Sequence, residues 1–334
     1  MPALNKDELL ARVIEAASLS GARTFLRNAA HPFSVSLWTD EQTVNLKVHI
    51  WNLTSGGPAA VRPRDEFRIQ LTGVGNALTV DPGLRNLLLG WSEDVGVFAA
   101  FDASRHSTFG ASPSIQVSMT TLLQASEHGI SFHTRNNQEV AICFSPDQLA
   151  NYVFNLYDLH RVGEVPQWAE VLAQITEEDI PEVEGYEQIP EERREIIEQI
   201  HRWVRERGFR SRVLAAYRDR CAVCHMQLRL VEAAHIVPVK IPGSSDLTSN
   251  GISLCPSHHT AYDKGLVGIA PNYSVLVNQD KLDSLRQSGL HTGEEMILNH
   301  VGNTILVPNQ IADRPTSENL RKGLEIRGWE EYAF

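Results

Sequence analysis

The 334-residue sequence is poor in cysteine and contains no long hydrophobic run. No apolar segment reaches the roughly 20 residues that a helix needs to cross a bilayer, so we expect no membrane partner. The N-terminus lacks the basic-then-apolar layout of a secretory signal, and this favours a cytoplasmic location. One compact core usually serves about 100–200 residues, so the chain is expected to form two domains.

The scarce cysteines are unevenly placed. Three of the four, Cys221, Cys224 and Cys255, fall within one stretch of 35 residues. Disulfides are rare in the cytoplasm, so this spacing indicates a metal site rather than cross-links. Cys143 stands apart in an apolar run and is expected to be an inert buried thiol.

Positive charge is also scarce, and the net charge of −11 argues at first against a nucleic-acid partner. Its distribution changes that conclusion. Residues 164–198 carry twelve acids and two bases, whereas residues 201–240 carry nine bases and three acids. Phosphate binding depends on local basic faces rather than on the total charge. A basic segment therefore follows an acidic one.

Hydrophobic patterning divides the chain into three parts. Residues 1–162 are predicted to be β-rich, because short apolar or alternating runs are separated by Gly, Pro, Asn and Ser clusters. Residues 163–200 are predicted to be an acidic helical linker, and residues 201–334 a second domain. The predicted strands of the first part are Phe33–Trp38, Val44–Trp51, Glu66–Thr72, Val95–Phe101, Ile115–Val117, Gly129–Thr134 and Glu139–Phe144. The predicted helices are 6–18, Ser145–His160, Pro190–Gly208, Phe209–Arg220 and Ser317–Arg327.

Two short motifs point to zinc. Cys221-x-x-Cys224 supplies two ligands, and Cys255-x-x-His258 supplies two more about thirty residues later. Zinc prefers four such ligands in a tetrahedron, and its binding contributes folding energy to a small module. The sequence therefore predicts a structural zinc site. The alternative is two unrelated turns that contain cysteine.

Three further blocks surround these motifs. They are Ala234-His235-Ile236-Val237-Pro238, then Asn250-Gly251-Ile252-Ser253-Leu254-Cys255, and then His258-His259-Thr260-Ala261-Tyr262-Asp263-Lys264-Gly265. In this order they resemble the HNH endonuclease family, and more narrowly the branch of McrA-type and related bacterial restriction enzymes. The resemblance covers about residues 200–330 and does not extend to the N-terminal half.

The resemblance implies a ββα-metal fold and a set of roles. His235 would be the general base, since histidine titrates near neutral pH. Asn250 would orient that base or touch a catalytic ion, and His259 would bind this ion. Mg²⁺ or Mn²⁺ would neutralise charge on the phosphate. His258 would complete the zinc site.

One position departs from the family pattern. Many HNH enzymes carry a metal-binding residue immediately before the catalytic histidine, and here that residue is Ala234. The metal site is then expected either to have fewer ligands or to draw on Glu232 or Asp246. The alternative is a DNA-binding protein whose HNH domain is degenerate.

The N-terminal part carries no motif that fixes its role. Its size and strand count suit a small DNA-recognition barrel, and relatives of this nuclease often carry SRA, EVE or other PUA-like readers. A pocket for an extruded base needs aromatic walls and hydrogen-bonding groups. On this ground Trp91, Asp102, Arg105 and His106 are the candidate DNA-reading residues. The alternative places the aromatics in the core and the polar residues in a loop.

Together these features predict an α+β protein with a β-rich, PUA- or SRA-like barrel and a C-terminal HNH nuclease domain. The predicted activity is restriction-like cutting of double-stranded DNA, with a modified cytosine as one candidate target. Arg210, Arg212 and Arg218 are the candidate phosphate contacts, unless they pair with the acidic linker. Cutting both strands needs two active sites, so we expect a homodimer. A further alternative is a defence effector nuclease whose N-terminal half senses a small molecule or a partner protein.

Overall fold

The computed structural model describes residues 3–55, 65–74, 78, 80–106, 108, 113–135, 137, 139–163, 171–172, 175 and 189–329. They belong to two compact units, Met1–Val204 and Arg205–Phe334. Most of the predicted acidic linker lies outside the described residues. No helix among the described residues is long and apolar enough to cross a membrane.

The N-terminal unit is a mixed sheet with helices. Helix α1 (Lys6–Leu19) begins at a capping box, in which Asn5 accepts from the Glu8 amide and Glu8 accepts from the Asn5 amide. The strands are β1 (Arg23–Asn28), β2 (Phe33–Trp38), β3 (Thr43–Ser55), β4 (Glu66–Gln70), β5 (Arg85–Ser92), β6 (Val97–Asp102), β7 (Ser114–Ser118), β8 (Ile130–Thr134) and β9 (Val140–Phe144). The helices are α1 (Lys6–Leu19), α2 (Met119–His128) and α3 (Leu149–Gly163), with 3₁₀ turns at Ala103–His106 and Pro146–Gln148.

The main sheet has the order β1-β2-β3-β5-β6-β9-β8, and β4 links β3 to β7. The β3–β5 pair is parallel and the other pairs are antiparallel. Both faces of its centre are covered. Leu87 and Leu89 face a core that includes α1 and α3, whereas Leu88 faces a second core that includes α2, β4 and β7. Burial on both faces explains why β5, β6 and β9 are continuous apolar runs rather than alternating ones.

The expected PUA- or SRA-like barrel is not confirmed. Within the part of the chain that the structure describes, the sheet runs from β1 to β8 without closing. The central strands are buried on both faces by other elements, so the sheet is an inner layer of the unit rather than the wall of a barrel; one covering helix, α2, was not predicted. Strands β1 and β5 were not predicted either. Cys143 is buried in the second core as expected, and burial raises the pKa of its thiol.

The C-terminal unit is assembled from short elements. Helix α4 (Glu191–Ala216) runs into it from the N-terminal unit as one helix, where the sequence predicted two. The strands are β10 (Glu232–His235), β11 (Gly251–Leu254), β12 (Val267–Ile269) and β13 (Val275–Val277). The remaining helices are α5 (Pro256–Asp263), α6 (Gln279–Gln287), α7 (Glu295–Leu298) and α8 (Ser317–Ile326), with 3₁₀ turns at Thr248–Asn250 and Ile311–Asp313. Antiparallel β10 and β11 are followed directly by α5, so the unit contains the ββα order.

Candidate metal centre and active site

A four-residue cluster joins the turn after α4 to the start of α5. The ligand atoms of Cys221, Cys224, Cys255 and His258 all lie within 4.8 Å of one another. The Cys221 Sγ to His258 Nδ1 distance is 3.7 Å, and the Cys224 Sγ to Cys255 Sγ distance is 3.9 Å. A tetrahedral zinc ion spaces sulfur and nitrogen ligands about 3.6–3.8 Å apart. The cluster therefore fits zinc.

Two of the three thiols of this cluster resist ionisation. Burial raises the pKa of Cys224 to about 12 and also raises that of Cys255. Burial opposes ionisation of Cys221 too, but hydrogen bonds from His258 and from backbone amides lower its pKa to about 6. Zinc binding needs deprotonated thiols, and the cation offsets their repulsion. A bound Zn²⁺ would thus stabilise the thiolates of Cys224 and Cys255, which the protein alone does not.

A second cluster surrounds His235 at the end of β10. Its Nε2 lies 2.9 Å from Asp246 Oδ1, and the ring stacks on Phe209 with 3.7 Å between centroids. Arg205 donates to the other oxygen of Asp246 from Nε at 2.9 Å and from Nη2 at 2.5 Å. Burial raises the pKa of Asp246, but the hydrogen bonds from Arg205 and His235 outweigh it and lower the pKa. Asp246 is therefore a charged carboxylate at neutral pH.

The structure places Asn250 inside the loop that connects the two strands. Its side-chain oxygen accepts from the Val237 amide, and its amide nitrogen donates to the carbonyls of Val237 and Ser245. The residue is 1% exposed. A buried amide committed to three backbone groups has no free side to offer an ion. This placement argues against the ion-binding role expected for Asn250 and gives it the task of shaping the loop that carries Asp246.

His259 projects from α5 between two carboxylates. Its Nδ1 lies 2.6 Å from Glu232 Oε2, and its Nε2 lies 3.3 Å from Asp263 Oδ2. Both carboxylates are largely exposed, and the histidine is partly exposed. Imidazole and carboxylate groups suit a divalent ion. Glu232 is one of the two residues that the sequence offered as substitutes at the ion; the other, Asp246, lies at His235 instead.

Arg327 connects the two histidines. It follows α8 and donates from Nη2 to the His235 carbonyl at 3.1 Å and to Asp263 Oδ1 at 3.2 Å. Its Nη1 donates to the Ile236 carbonyl at 2.7 Å, and its guanidinium lies 4.0 Å from the centre of the Tyr262 ring. This buried cation ties strand β10 to helix α5. It thereby fixes the two histidines on one frame.

Four contributors to this site were not predicted: Arg205, Phe209, Asp263 and Arg327. Arg205 and Phe209 could have been suspected, because residues four apart share a helix face. Asp263 belongs to the third motif block but received no role. We find no sequence signal that marks Arg327.

Comparisons with known proteins bear on both units. Residues 221–270 match the family model described as HNH endonuclease, and this match spans β10, β11 and α5. The C-terminal unit contains an HNH endonuclease domain. The match confirms the predicted family and, with it, the prediction that the chain is a nuclease.

Residues 44–153 match a second family model, described as methylase-associated X1. One solved structure that the chain resembles is described as the modification-dependent TagI restriction endonuclease. It is 14% identical, with 82% of this chain and 79% of that chain covered and a TM-score of 0.29. That score is too low to show a common fold. No curated protein matches the chain.

Within the HNH domain, Ala234 is a core residue. It is 2% exposed and packs in the same cluster as Ile236, Ile252 and Leu254. A longer acidic side chain at this position would have to displace that packing or turn towards the solvent. The departure from the family pattern is thus built into the core of the HNH domain.

The arginines predicted to contact phosphate are exposed but not equivalent. Arg212 donates to the Asp246 carbonyl at 2.9 Å and so holds the His235 loop. Arg210 lies 3.5 Å from the Val231 carbonyl, and Arg218 follows α4 with a positive φ of 56°. Arg210 and Arg218 keep their charged groups on the surface of the HNH domain.

The four candidate DNA-reading residues of the N-terminal unit do not form one surface. Trp91 is 5% exposed, packs on Phe98 and donates to Glu93, so it lies in the core, as the alternative had it. His106 lies 2.7 Å from Glu139, a fully buried carboxylate. Asp102 pairs with Leu87, four residues along β5 from Trp91, which separates them by about 13 Å.

Two of the four remain candidates on the surface. Asp102 accepts from the Ser104 amide and hydroxyl at the start of the 3₁₀ turn, and Arg105 is exposed on that turn. The neighbouring Phe109 and Gly110, which belonged to the same sequence run, lie outside the described residues. A reading surface at this turn therefore rests on Asp102 and Arg105.

Proposed function

We propose that the chain is a metal-dependent, restriction-like endonuclease that hydrolyses the backbone of double-stranded DNA. One observation carries the proposal. His235 on β10 and His259 on α5 are held on one ββα frame, and Arg327 hydrogen-bonds to the backbone of the first and to the carboxylate partner of the second. A base and an ion ligand fixed on one frame are what phosphodiester hydrolysis requires.

The residues take separate roles in this reaction. His235 accepts a proton from the attacking water. His259 and Glu232 would hold the divalent ion, since Asp263 already shares its charge with Arg327. When bound, Mg²⁺ or Mn²⁺ neutralises charge on the phosphate and on the leaving oxygen. Asn250 keeps the loop in shape, and the zinc cluster holds α4 to the start of α5.

The N-terminal unit and the basic surface of the HNH domain would bind the DNA. Arg210 and Arg218 are exposed and suit phosphate contacts. A methylase-associated domain beside a nuclease domain fits a system in which methylation and cutting concern the same DNA. We propose that this unit reads a base, with modified cytosine as a candidate, through the surface at Asp102 and Arg105. Cutting of both strands would use a homodimer.

Cleavage of paired plasmids tests this function. Unmodified and 5-methylcytosine-containing plasmids are incubated with Mg²⁺ or Mn²⁺ and with wild type, His235→Ala or His259→Ala. We expect wild type to cut and both variants to lose about 10²-fold or more in rate. His291→Ala is the matched control, because His291 is an exposed histidine of the same unit outside the site. Cutting restricted to the methylated plasmid supports a modification reader.

Three results would contradict parts of the proposal. Cutting that survives His235→Ala removes that residue as the base. Zinc-loaded, folded protein that binds duplexes but cuts neither plasmid with either ion favours a degenerate HNH domain. Arg105→Ala with unchanged preference between the plasmids removes the 3₁₀ turn as the reading surface.

A cavity in the N-terminal unit favours a second candidate function, a nuclease controlled by a small molecule. The cavity measures about 350 Å³ and mixes charged and amide side chains. Its described lining is Asp65, Glu66, Gln116, Val117, Ser118, His133, Arg135 and Asn137. Pockets of this size suit small ligands. The sensor function would be favoured if the full-length His235→Ala protein binds modified and unmodified duplexes equally, and if adding Arg105→Ala leaves that binding unchanged.

A further inference from the structure

One face of helix α4 supports the His235 loop. Arg205, Phe209 and Arg212 are spaced four and three residues apart, so they project from the same side of the helix. Arg205 binds the Asp246 side chain, Phe209 stacks on the His235 ring, and Arg212 binds the Asp246 carbonyl. The helix therefore grips both the histidine and its carboxylate partner.

Both oxygens of Asp246 are already committed. Oδ1 meets His235 Nε2 at 2.9 Å, and Oδ2 receives both donors of Arg205. A divalent cation at either oxygen would have to displace the histidine or lie beside the guanidinium charge. Electrostatics therefore disfavour Asp246 as an ion ligand.

A carboxylate that accepts from one ring nitrogen decides which nitrogen is basic. When Nε2–H donates to Asp246, the lone pair of the neutral ring resides on Nδ1. The stacked Phe209 ring, tilted by only 10°, keeps the imidazole plane from turning. The loop and the helix together therefore define both the tautomer and the orientation of His235.

We propose that Asp246, anchored by Arg205, is the positioning residue that makes Nδ1 of His235 the general base. This inference rests on the proposed role of His235 in hydrolysis. Nδ1 takes a proton from water as the O–H bond breaks, and the hydroxide forms a bond to phosphorus as the bond from phosphorus to the leaving oxygen breaks. The imidazolium then holds two N–H groups, and the Asp246 carboxylate stabilises its charge.

The tautomer itself is the first measurement. Long-range ¹H–¹⁵N spectra of the full-length, zinc-loaded protein identify the protonated nitrogen, with the His235 signals assigned by their loss in His235→Ala. We expect the Nε2–H form in wild type at pH 8 and its loss in Asp246→Asn. An Nδ1–H form in wild type, or an unchanged form in the variant, would overturn the proposal.

Metal-dependent kinetics provide the second readout on a DNA substrate that wild type cuts. Asp246→Asn should slow cleavage about 10²-fold or more, leave the ion concentration for half-maximal rate unchanged, and move the acidic limb of the pH–rate profile towards lower pH. The charged groups that face His235 are Asp246, with Arg205 and Arg212 behind it and Arg327 at its carbonyl. Removing the carboxylate leaves only cations there, and these disfavour the imidazolium.

Glu232→Gln is the matched carboxylate control. It should raise the ion concentration needed for half-maximal rate, because we place Glu232 at the ion. If Asp246→Asn instead raises that concentration and regains its rate at high Mg²⁺, then Asp246 is an ion ligand and the positioning role is wrong. Arg205→Gln keeps the Asp246 carboxylate and is the second variant in case Asp246→Asn does not fold. It should also slow cleavage while the ion concentration for half-maximal rate stays unchanged. An unaltered rate would refute the proposal that Arg205 anchors Asp246.

The two proposals fail differently. Full activity in His235→Ala sinks the assignment of the base itself. Loss of activity in His235→Ala combined with full activity in Asp246→Asn contradicts only the positioning role of Asp246.

Discussion

Gly251 is the position where a single methyl group should disturb the active site most directly. It begins β11 and pairs with His235 across the two-stranded sheet. A Cβ atom built there would lie 2.2 Å from Val213 Cγ2 and 3.0 Å from Phe209 Cζ. Both neighbours belong to α4, the helix that supports His235. The backbone has φ −117° and ψ 149°, which alanine adopts without strain, so the effect of Gly251→Ala is purely steric.

The size of the effect follows from the overlap. Carbon atoms in contact lie about 3.5–4.0 Å apart, so Val213 and the helix must retreat by more than about 1 Å. Overpacking of this kind costs about 1–3 kcal/mol of unfolding free energy. The same retreat lifts Phe209 from the His235 ring, so cleavage should slow even where the protein stays folded. Adding Val213→Ala to Gly251→Ala removes the Val213 methyl groups and makes room for the added Cβ atom.

Urea denaturation and plasmid cleavage of the two single variants and the double variant measure this coupling. We expect the double variant to be more stable than the sum of the single losses predicts, with a coupling of about 0.5–3 kcal/mol. Gly83→Ala is the control, because its added methyl would meet only Asp81 Oδ1, at 3.5 Å. Additive losses for Gly251→Ala and Val213→Ala would refute the close approach of α4 to β11.

Two further predictions concern zinc and pH. Elemental analysis should find one zinc ion per chain. Cys224→Ser should lose this zinc together with the unfolding transition of the C-terminal unit, because zinc binding contributes folding free energy. The control Cys143→Ala should keep the metal, and a folded, zinc-free wild type would contradict the prediction. In the N-terminal unit, burial and the Lys6 charge lower the pKa of His31 from 6.5 to about 4. As the pH falls, His31 is therefore protonated in the unfolded chain before it is protonated in the folded protein. The free energy of unfolding should then fall as the pH drops from about 6.5 towards 4. Urea unfolding at pH 7 and pH 5 should show this loss, and His31→Gln, which can still accept from the Ile50 amide, should reduce it; an equal loss in the variant would refute it.

Local sequence was sufficient where chemistry depends on short spacing. Two ligands separated by two residues in Cys221-x-x-Cys224 and Cys255-x-x-His258 must lie close together, and the structure brings both pairs to one point. The apolar runs at β2, β3 and β9 likewise predicted strands that the structure contains. Patterning was insufficient for β5, although its run is as apolar as those of β6 and β9, and for α2, which packs against a sheet that the prediction treated as a barrel wall.

The aromatic and polar run at residues 91–106 shows why composition alone does not decide which residues share a surface. Trp91 and His106 have the chemistry of a base-binding pocket, but one packs on Phe98 and the other faces the buried Glu139. Burial depends on which elements cover a strand, and that is decided by pairing between distant segments. Only Asp102 and Arg105 keep a surface position.

By itself, the sequence determined which three cysteines and one histidine come together, because their spacing lies within short motifs, and the order of the motif blocks predicted the HNH domain. Only the tertiary structure decided how His235 and His259 are held. Asp246 meets an arginine 41 residues away, His259 meets a glutamate 27 residues away, and His235 accepts from Arg327 across 92 residues. Such contacts depend on the packing of α4 and α8 against β10 and β11, and no local pattern of residue types encodes that packing.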